Sequence, residues 1–145
     1  MPEVVPAEAN VVAGRKSTSS LGLGMVEAVT DERFRMLAAS QSEAIRGSVN
    51  RVFDPASGKK RIGRFGHKAQ VATLATFSAE AYLMELGITT PTFPHENCPQ
   101  GDCSLLQRCG QVANDPEDNG TGADAFATFM RLLAPPPRGE ITPQV

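Results

Sequence analysis

Residues 63–87 read GRFGHKAQVATLATFSAEAYLMELG. From Lys68 onward the stretch carries Val71, Leu74, Ala75, Phe77, Ala81, Tyr82, Leu83, Met84 and Leu86, apolar on more than one side at helical spacing. A helix of that kind is normally buried on several sides. The sequence therefore predicts its main core helix over residues 68–86, with Gly87 at the position after the helix where a left-handed residue is favoured.

On the N-terminal side, GSVNRVFDPASGKKRIGRFGHKA is basic and rich in turn residues. Asp54-Pro55 and Ser57-Gly58 are turn signals, so Val49–Phe53 and Arg61–Phe65 are expected to form a short irregular ribbon. Further upstream, Thr30 or Asp31 caps a predicted helix through Ile45, with Phe34, Leu37, Ala38 and Ile45 as a modest apolar stripe and Gly47 beyond its end. Residues 1–14 read as an extended segment, and Gly22 and Gly24 as a close-packed turn into a short helical piece. On the C-terminal side, GITTPTFPHENCPQGDCS is a loop, followed by a short helix at 105–109 and a polar, acidic hinge at 113–122. A last helix is expected over 124–134, with Ala125, Phe126, Phe129, Met130, Leu132 and Leu133 as its buried stripe and Pro135, Pro136 and Pro137 as its stop. The fold class is mostly α with long ordered loops rich in Gly and Pro, in a single partial domain over residues 1–145.

Composition narrows the function classes. With 13 Gly, 11 Pro, one Tyr and no Trp in 145 residues, the chain has little large apolar surface to bury, so a cofactor or neighbouring sequence is expected to complete its core. A net charge of −2 gives no overall attraction to nucleic acid or to an acidic membrane. No apolar run is long enough for a membrane span, and MPEVVPAEANVV lacks the basic and apolar regions of a secretory signal.

Cys98, Cys103 and Cys109 are spaced C-x4-C and C-x5-C, which matches no common zinc ribbon. They allow one disulfide with a thiol left over, three ordinary thiols, or a metal site. No C-x-x-C-H, the attachment signature of c-type haem, occurs in the sequence. Arg46, Arg51, Lys59, Lys60, Arg61, Arg64 and Lys68 hold half of the 14 Lys and Arg residues; no aromatic platform accompanies them, so nucleic acid is not expected as a partner. Asp115, Glu117 and Asp118 lack calcium-loop spacing and read as a solvated turn. The glycines of GLGLG and GRFG make no phosphate fingerprint, because no strand and βαβ unit accompany them.

Four blocks in order, RKSTSSLGLGMVEAVTDERF, GRFGHKAQVATL, MELGITTPTFPHENCP and FMRLLAPPPRG, resemble the di-haem oxidoreductase family of peroxidase-like proteins, also labelled thiol oxidoreductase, in the cytochrome c-like superfamily. The blocks span residues 12–139. The resemblance implies a cytochrome c-like fold, covalently bound haem c, electron transfer, a redox partner and a periplasmic location. It also implies that the family's haem attachment motifs lie outside these blocks. The chain is then a central fragment without thioether cysteines or proximal histidines, expected to be inactive alone. The alternative is a non-catalytic remnant or small partner-binding module.

Within GRFGHKA, the residues expected beside haem are Arg64, Phe65, His67 and Lys68. Arg64 and Lys68 are read as pairing with haem propionates or with carboxylates that hold the loop in place, and Arg64 is the better candidate because its guanidinium binds a carboxylate in two places. His67 stands where the family usually has Trp, and is read as a loop residue, an axial ligand or a hydrogen-bond donor near the haem. His95 reads as a loop residue. A thiol redox enzyme built on the cysteines is the least supported reading, since only Arg108 lies near them in sequence.

Overall fold

The computed structural model describes residues 4–14, 16–17, 19–98, 101–109 and 116–139, apart from the side chains of residues 105 and 109. Its elements run α1 (Leu23–Ala28), α2 (Asp31–Ser40), β1 (Arg51–Asp54), β2 (Lys59–Ile62), α3 (Leu74–Ala81), α4 (Ser104–Cys109) and α5 (Thr121–Leu132). A 3-10 turn at Glu43–Ile45 follows α2, and a π-helical turn at Tyr82–Leu86 continues α3. The described chain is mostly helical with one small sheet. No helix among the described residues is long and apolar enough to cross a membrane.

The predicted helix over 68–86 is shortened at its start. Val71 pairs with Phe65 in an antiparallel bridge, and Ala69 holds a positive φ of 49°. Helix therefore begins only after Thr73, whose hydroxyl accepts from the Thr76 N–H and caps the first turn. Gly87 closes the π-helical turn in the left-handed conformation, with its N–H bonded to Leu83 O. The helix expected to run to Ile45 ends at Ser40, and Ile45 lies exposed in the 3-10 turn. The Thr30 cap does form, its hydroxyl accepting from the Arg33 N–H at 3.3 Å.

The core is small. Phe65, Val71 and Leu74 pack against Ala127 and Met130 of α5, with Leu23, Val26 and Phe77 at its margin. Each large apolar side chain buried there contributes on the order of 1.5–3 kcal/mol. Of the expected stripe of α5 Met130 is buried, but its buried neighbours are Ala123 and Ala127, while Phe126, Phe129 and Leu132 face solvent. Both stripes recur at three to four residues, and the small Ala123–Ala127 face lets α3 approach more closely than the aromatic one would.

Close contacts fix α1 on α5. A Cβ at Gly24 would lie 2.1 Å from the Arg131 carbonyl oxygen, so only glycine fits that crossing. The Gly22 N–H bonds to Leu133 O at 3.1 Å, tying the start of α1 to the end of α5. Across the other end of the molecule, Thr89 joins the Pro-containing loop after α3 to the turn before α5. Its N–H donates to the Glu117 carboxylate, and its hydroxyl accepts from the Glu117 N–H, both at 3.0 Å. Asp118 then accepts from the Gly122 and Ala123 N–H groups and caps α5. Glu117 and Asp118 thus have structural partners in a turn expected to be merely solvated. Asp115 and the start of the predicted hinge, residues 113–115, lie outside the described residues.

Candidate functional site

The GRFGHKA block is a tight loop that returns on itself. Arg64 N–H and Phe65 N–H both donate to Val71 O at 2.9 Å, and Val71 N–H donates back to Phe65 O. A Cβ on Gly63 would meet Ala69 O at 1.8 Å, and Gly66 holds φ at 77°. Glycine is thus required at the first position by space and favoured at the second by backbone geometry. Asn50 clamps the loop from β1, donating its side-chain amide to Lys68 O and Ala69 O.

This loop divides the four candidate residues into two pairs. Phe65 turns into the core, with its ring centroid 6.2 Å from that of Phe77. The Arg64 side chain is 1% exposed and reaches the junction between α1 and α2. There it donates to Glu27 O at 3.0 Å and Val29 O at 2.5 Å, pairs with the Asp31 carboxylate, and lies 5.0 Å from the Phe34 ring centroid. Asp31 accepts in addition from the Ile62 N–H. Of the two kinds of carboxylate weighed for Arg64, the one found is Asp31 of the chain itself. His67 and Lys68 stand exposed at the loop tip. The four residues therefore do not line one surface.

Sequence reasoning missed two carboxylates that assemble this region. Asp54 is fully buried at the end of β1 and accepts from the hydroxyls of Ser57, Thr73 and Thr76. Burial pushes its carboxyl up, but those hydrogen bonds and the charge of Arg61 outweigh burial and hold it below the ordinary carboxylate range. Glu27 on α1 accepts from the Leu74 N–H at 2.7 Å, at the start of α3, and from Arg131 of α5 at 2.5 Å. Burial raises it too; Arg131, the Leu74 N–H and the charge of Arg61 leave it lowered. The visible signals were the Asp54-Pro55 and Ser57-Gly58 turn residues, with Ser57 three positions after Asp54, and Thr73 as a helix-capping residue type. Nothing local in the sequence announces the contact between Glu27 and Arg131.

The second notable surface is apolar. Phe126, Phe129 and Leu132 form an outward stripe on α5, and the Tyr82 ring lies 6.3 Å from that of Phe126 at a steep angle. Met84 and Leu86, in the π-helical turn that Tyr82 begins, are exposed as well. Cys98 and Cys103 form a disulfide, the structural pairing among the alternatives for the cysteines. The Cys109 side chain lies outside the described residues. Among the described residues no group of three or more His, Cys, Asp or Glu side chains is placed to hold a metal ion.

A family model described as "Di-haem oxidoreductase, putative peroxidase" matches residues 6–133. The chain belongs to that family. No curated protein matches the chain, and no solved structure does. A member of the di-haem oxidoreductase family is expected to meet haem, and the residues present fit one part of that task. The outward stripe of α5 offers an exposed apolar and aromatic surface of the kind a macrocycle packs against. The residues present do not make a covalent attachment set: the sequence has no C-x-x-C-H, His67 and His95 are exposed on separate loops, and Cys98 and Cys103 are bonded to each other.

Proposed function

We propose that this chain forms the central, non-attaching part of a c-type di-haem oxidoreductase with peroxidase-like activity, in a cytochrome c-like fold. It supplies one apolar wall beside haem and the scaffold that holds that wall. The observation that carries the reading is the outward aromatic stripe of α5 on a chain that belongs to a di-haem family. Tyr82, Phe126, Phe129 and Leu132 would exclude water from the macrocycle face, and a drier setting shifts a haem potential. Lys68 and His67, exposed at the loop tip, are the side chains free to meet propionates. Arg64 and Phe65 act one step back, fixing that loop on α1, α2 and α3. Bound haem supplies the change of oxidation state, while the chain's own groups position it and limit solvent.

The disulfide supports an oxidising compartment such as the periplasm. A covalent haem stain after periplasmic expression tests the proposal. The 145-residue chain should give no signal, and a longer polypeptide carrying it together with C-x-x-C-H should stain. In that longer protein, Phe126→Ser with Phe129→Ser should shift the haem absorption band and potential. An unstained longer protein, or a haem spectrum indifferent to both substitutions, would overturn the reading. The alternative, a non-catalytic module, is favoured by the same exposed stripe taken without haem. It predicts that the 145-residue chain associates through α5 and that the paired substitution makes it monomeric in size-exclusion chromatography.

A further inference from the structure

We infer that the β1–β2 hairpin is a docking surface for an acidic protein, with Arg51 and Lys60 beside an exposed Phe53 and Lys59 and Lys68 elsewhere on the same basic segment. The inference is independent of the haem reading except at Lys68, which both readings use. It begins with charge placement. Residues 46–68 hold seven cations and a single carboxylate, Asp54, whereas residues 80–124 hold eight carboxylates and a single cation, Arg108. The net charge of −2 therefore conceals a strong asymmetry along the chain.

The fold leaves the positive side uncompensated. Asp54, the one carboxylate of the segment, is buried and engaged by three hydroxyls. Arg64 is consumed by Asp31, and the charge of Arg61 acts on Asp54 and Glu27. What remains is Arg46, Arg51, Lys59, Lys60 and Lys68, all exposed, and none has an ion-pair partner among the described residues; the last four lie on the hairpin and the loop that Asn50 ties to it. The register sets Phe53 directly opposite Lys60, and Arg51 lies two residues along on the same face. Phe53 is 61% exposed, an aromatic ring beside Arg51 and Lys60. Asn50 holds the backbone of Lys68 beside the start of β1, which extends the basic surface to the loop tip.

Such a patch steers an acidic partner electrostatically, and a central aromatic side chain supplies the desolvated anchor. A folded acidic protein fits better than the other polyanions. Bases of a nucleic acid need successive aromatic platforms, and the hairpin offers one ring. A membrane needs a larger apolar face to enter than Phe53 alone provides. Four residues of strand span roughly 13 Å, the scale of a patch and not of an extended polymer track.

The test is an amide-detected NMR titration of the full chain at low salt. The probe is a synthetic helical peptide with glutamates flanking a leucine stripe, standing in for an acidic protein surface. Short single-stranded DNA, and vesicles of equal parts phosphatidylglycerol and phosphatidylcholine, serve as competing probes. Peptide-induced shifts should fall on residues 51–62 and 66–69. Lys59→Glu with Lys60→Glu should weaken binding about tenfold or more, and Phe53→Ser severalfold, since rim charges and a central anchor contribute in that order at low salt. Circular dichroism checks that each variant stays folded; Lys60→Gln with Phe53→Ser replaces the double charge reversal if that variant does not. Shifts located elsewhere, unchanged affinity in the variants, or tighter binding of DNA or vesicles than of the peptide would each overturn the inference.

Discussion

Around Arg64, Glu27 and Asp54, charged groups lie inside the molecule and each has its partners. Along the outer side of α5, the rings of Phe126 and Phe129 and the chain of Leu132 lie outside, against water. Among the described residues no buried side-chain nitrogen or oxygen lacks a hydrogen bond. A small domain usually distributes its residues the other way round. The difference separates two tasks. Polar struts hold α1, α2, α3 and the hairpin in one arrangement, because the apolar core is too small to specify it alone. The best apolar surface is left unused by the fold and stays available to something else.

The comparison is broken most severely at Arg64. Replacing it with Ala leaves the Asp31 carboxylate with the Ile62 N–H but no cation, and removes the donor for Glu27 O and Val29 O. Losing one partner of a buried pair costs about 3–5 kcal/mol, enough to unfold much of a protein this size. Urea denaturation followed by circular dichroism should show that loss, and Lys at the position should recover only a small part of it. A midpoint within error of the wild type would mean the strut is not structural.

A smaller effect comes from acid. The folded-state values of Asp54 and Glu27 are lowered, so the unfolded chain binds protons more readily at both sites. Their stabilisation is complete above about pH 5 and is lost as pH falls through the lowered values. The wild type should therefore lose stability between pH 5 and pH 3 in urea titrations. Asp54→Asn should cost about 1–3 kcal/mol at pH 7, because the amide NH2 cannot accept from the hydroxyls. The same variant should also show a shallower acid limb.

The smallest effect is expected where the largest side chains are altered. Phe126→Ser with Phe129→Ser should cost the isolated chain only about 1 kcal/mol, since about half of each ring already faces solvent. A loss of several kcal/mol would show that the stripe is part of the core, and the division between strut and free surface would fall.

Local chemistry made much of this fold legible. The Thr30 cap, Gly87, the turn after Asp54 and the proline run after α5 each act within a few residues, and these features stand where they were predicted. Features set by distant contacts were not readable. The Phe65–Val71 bridge reclaims residues 68–73 from the helix, although their apolar spacing continues that of α3. On α5 two apolar stripes compete, and periodicity cannot say which one meets α3. At the candidate site, Arg64 was picked out as a carboxylate binder, but its partner lies 33 residues upstream, where Asp31 reads simply as the start of a helix. His67 and Lys68 were grouped with it by adjacency, whereas the tight loop sends neighbouring side chains in opposite directions.

The bond between Gly22 N–H and Leu133 O has an architectural corollary. The polypeptide enters and leaves this unit through adjoining doorways, so a longer protein could carry it as a cassette inserted into a loop, with little disturbance to the host on either side. Moving Gly22 away from Leu133 would pry apart the two ends of the unit.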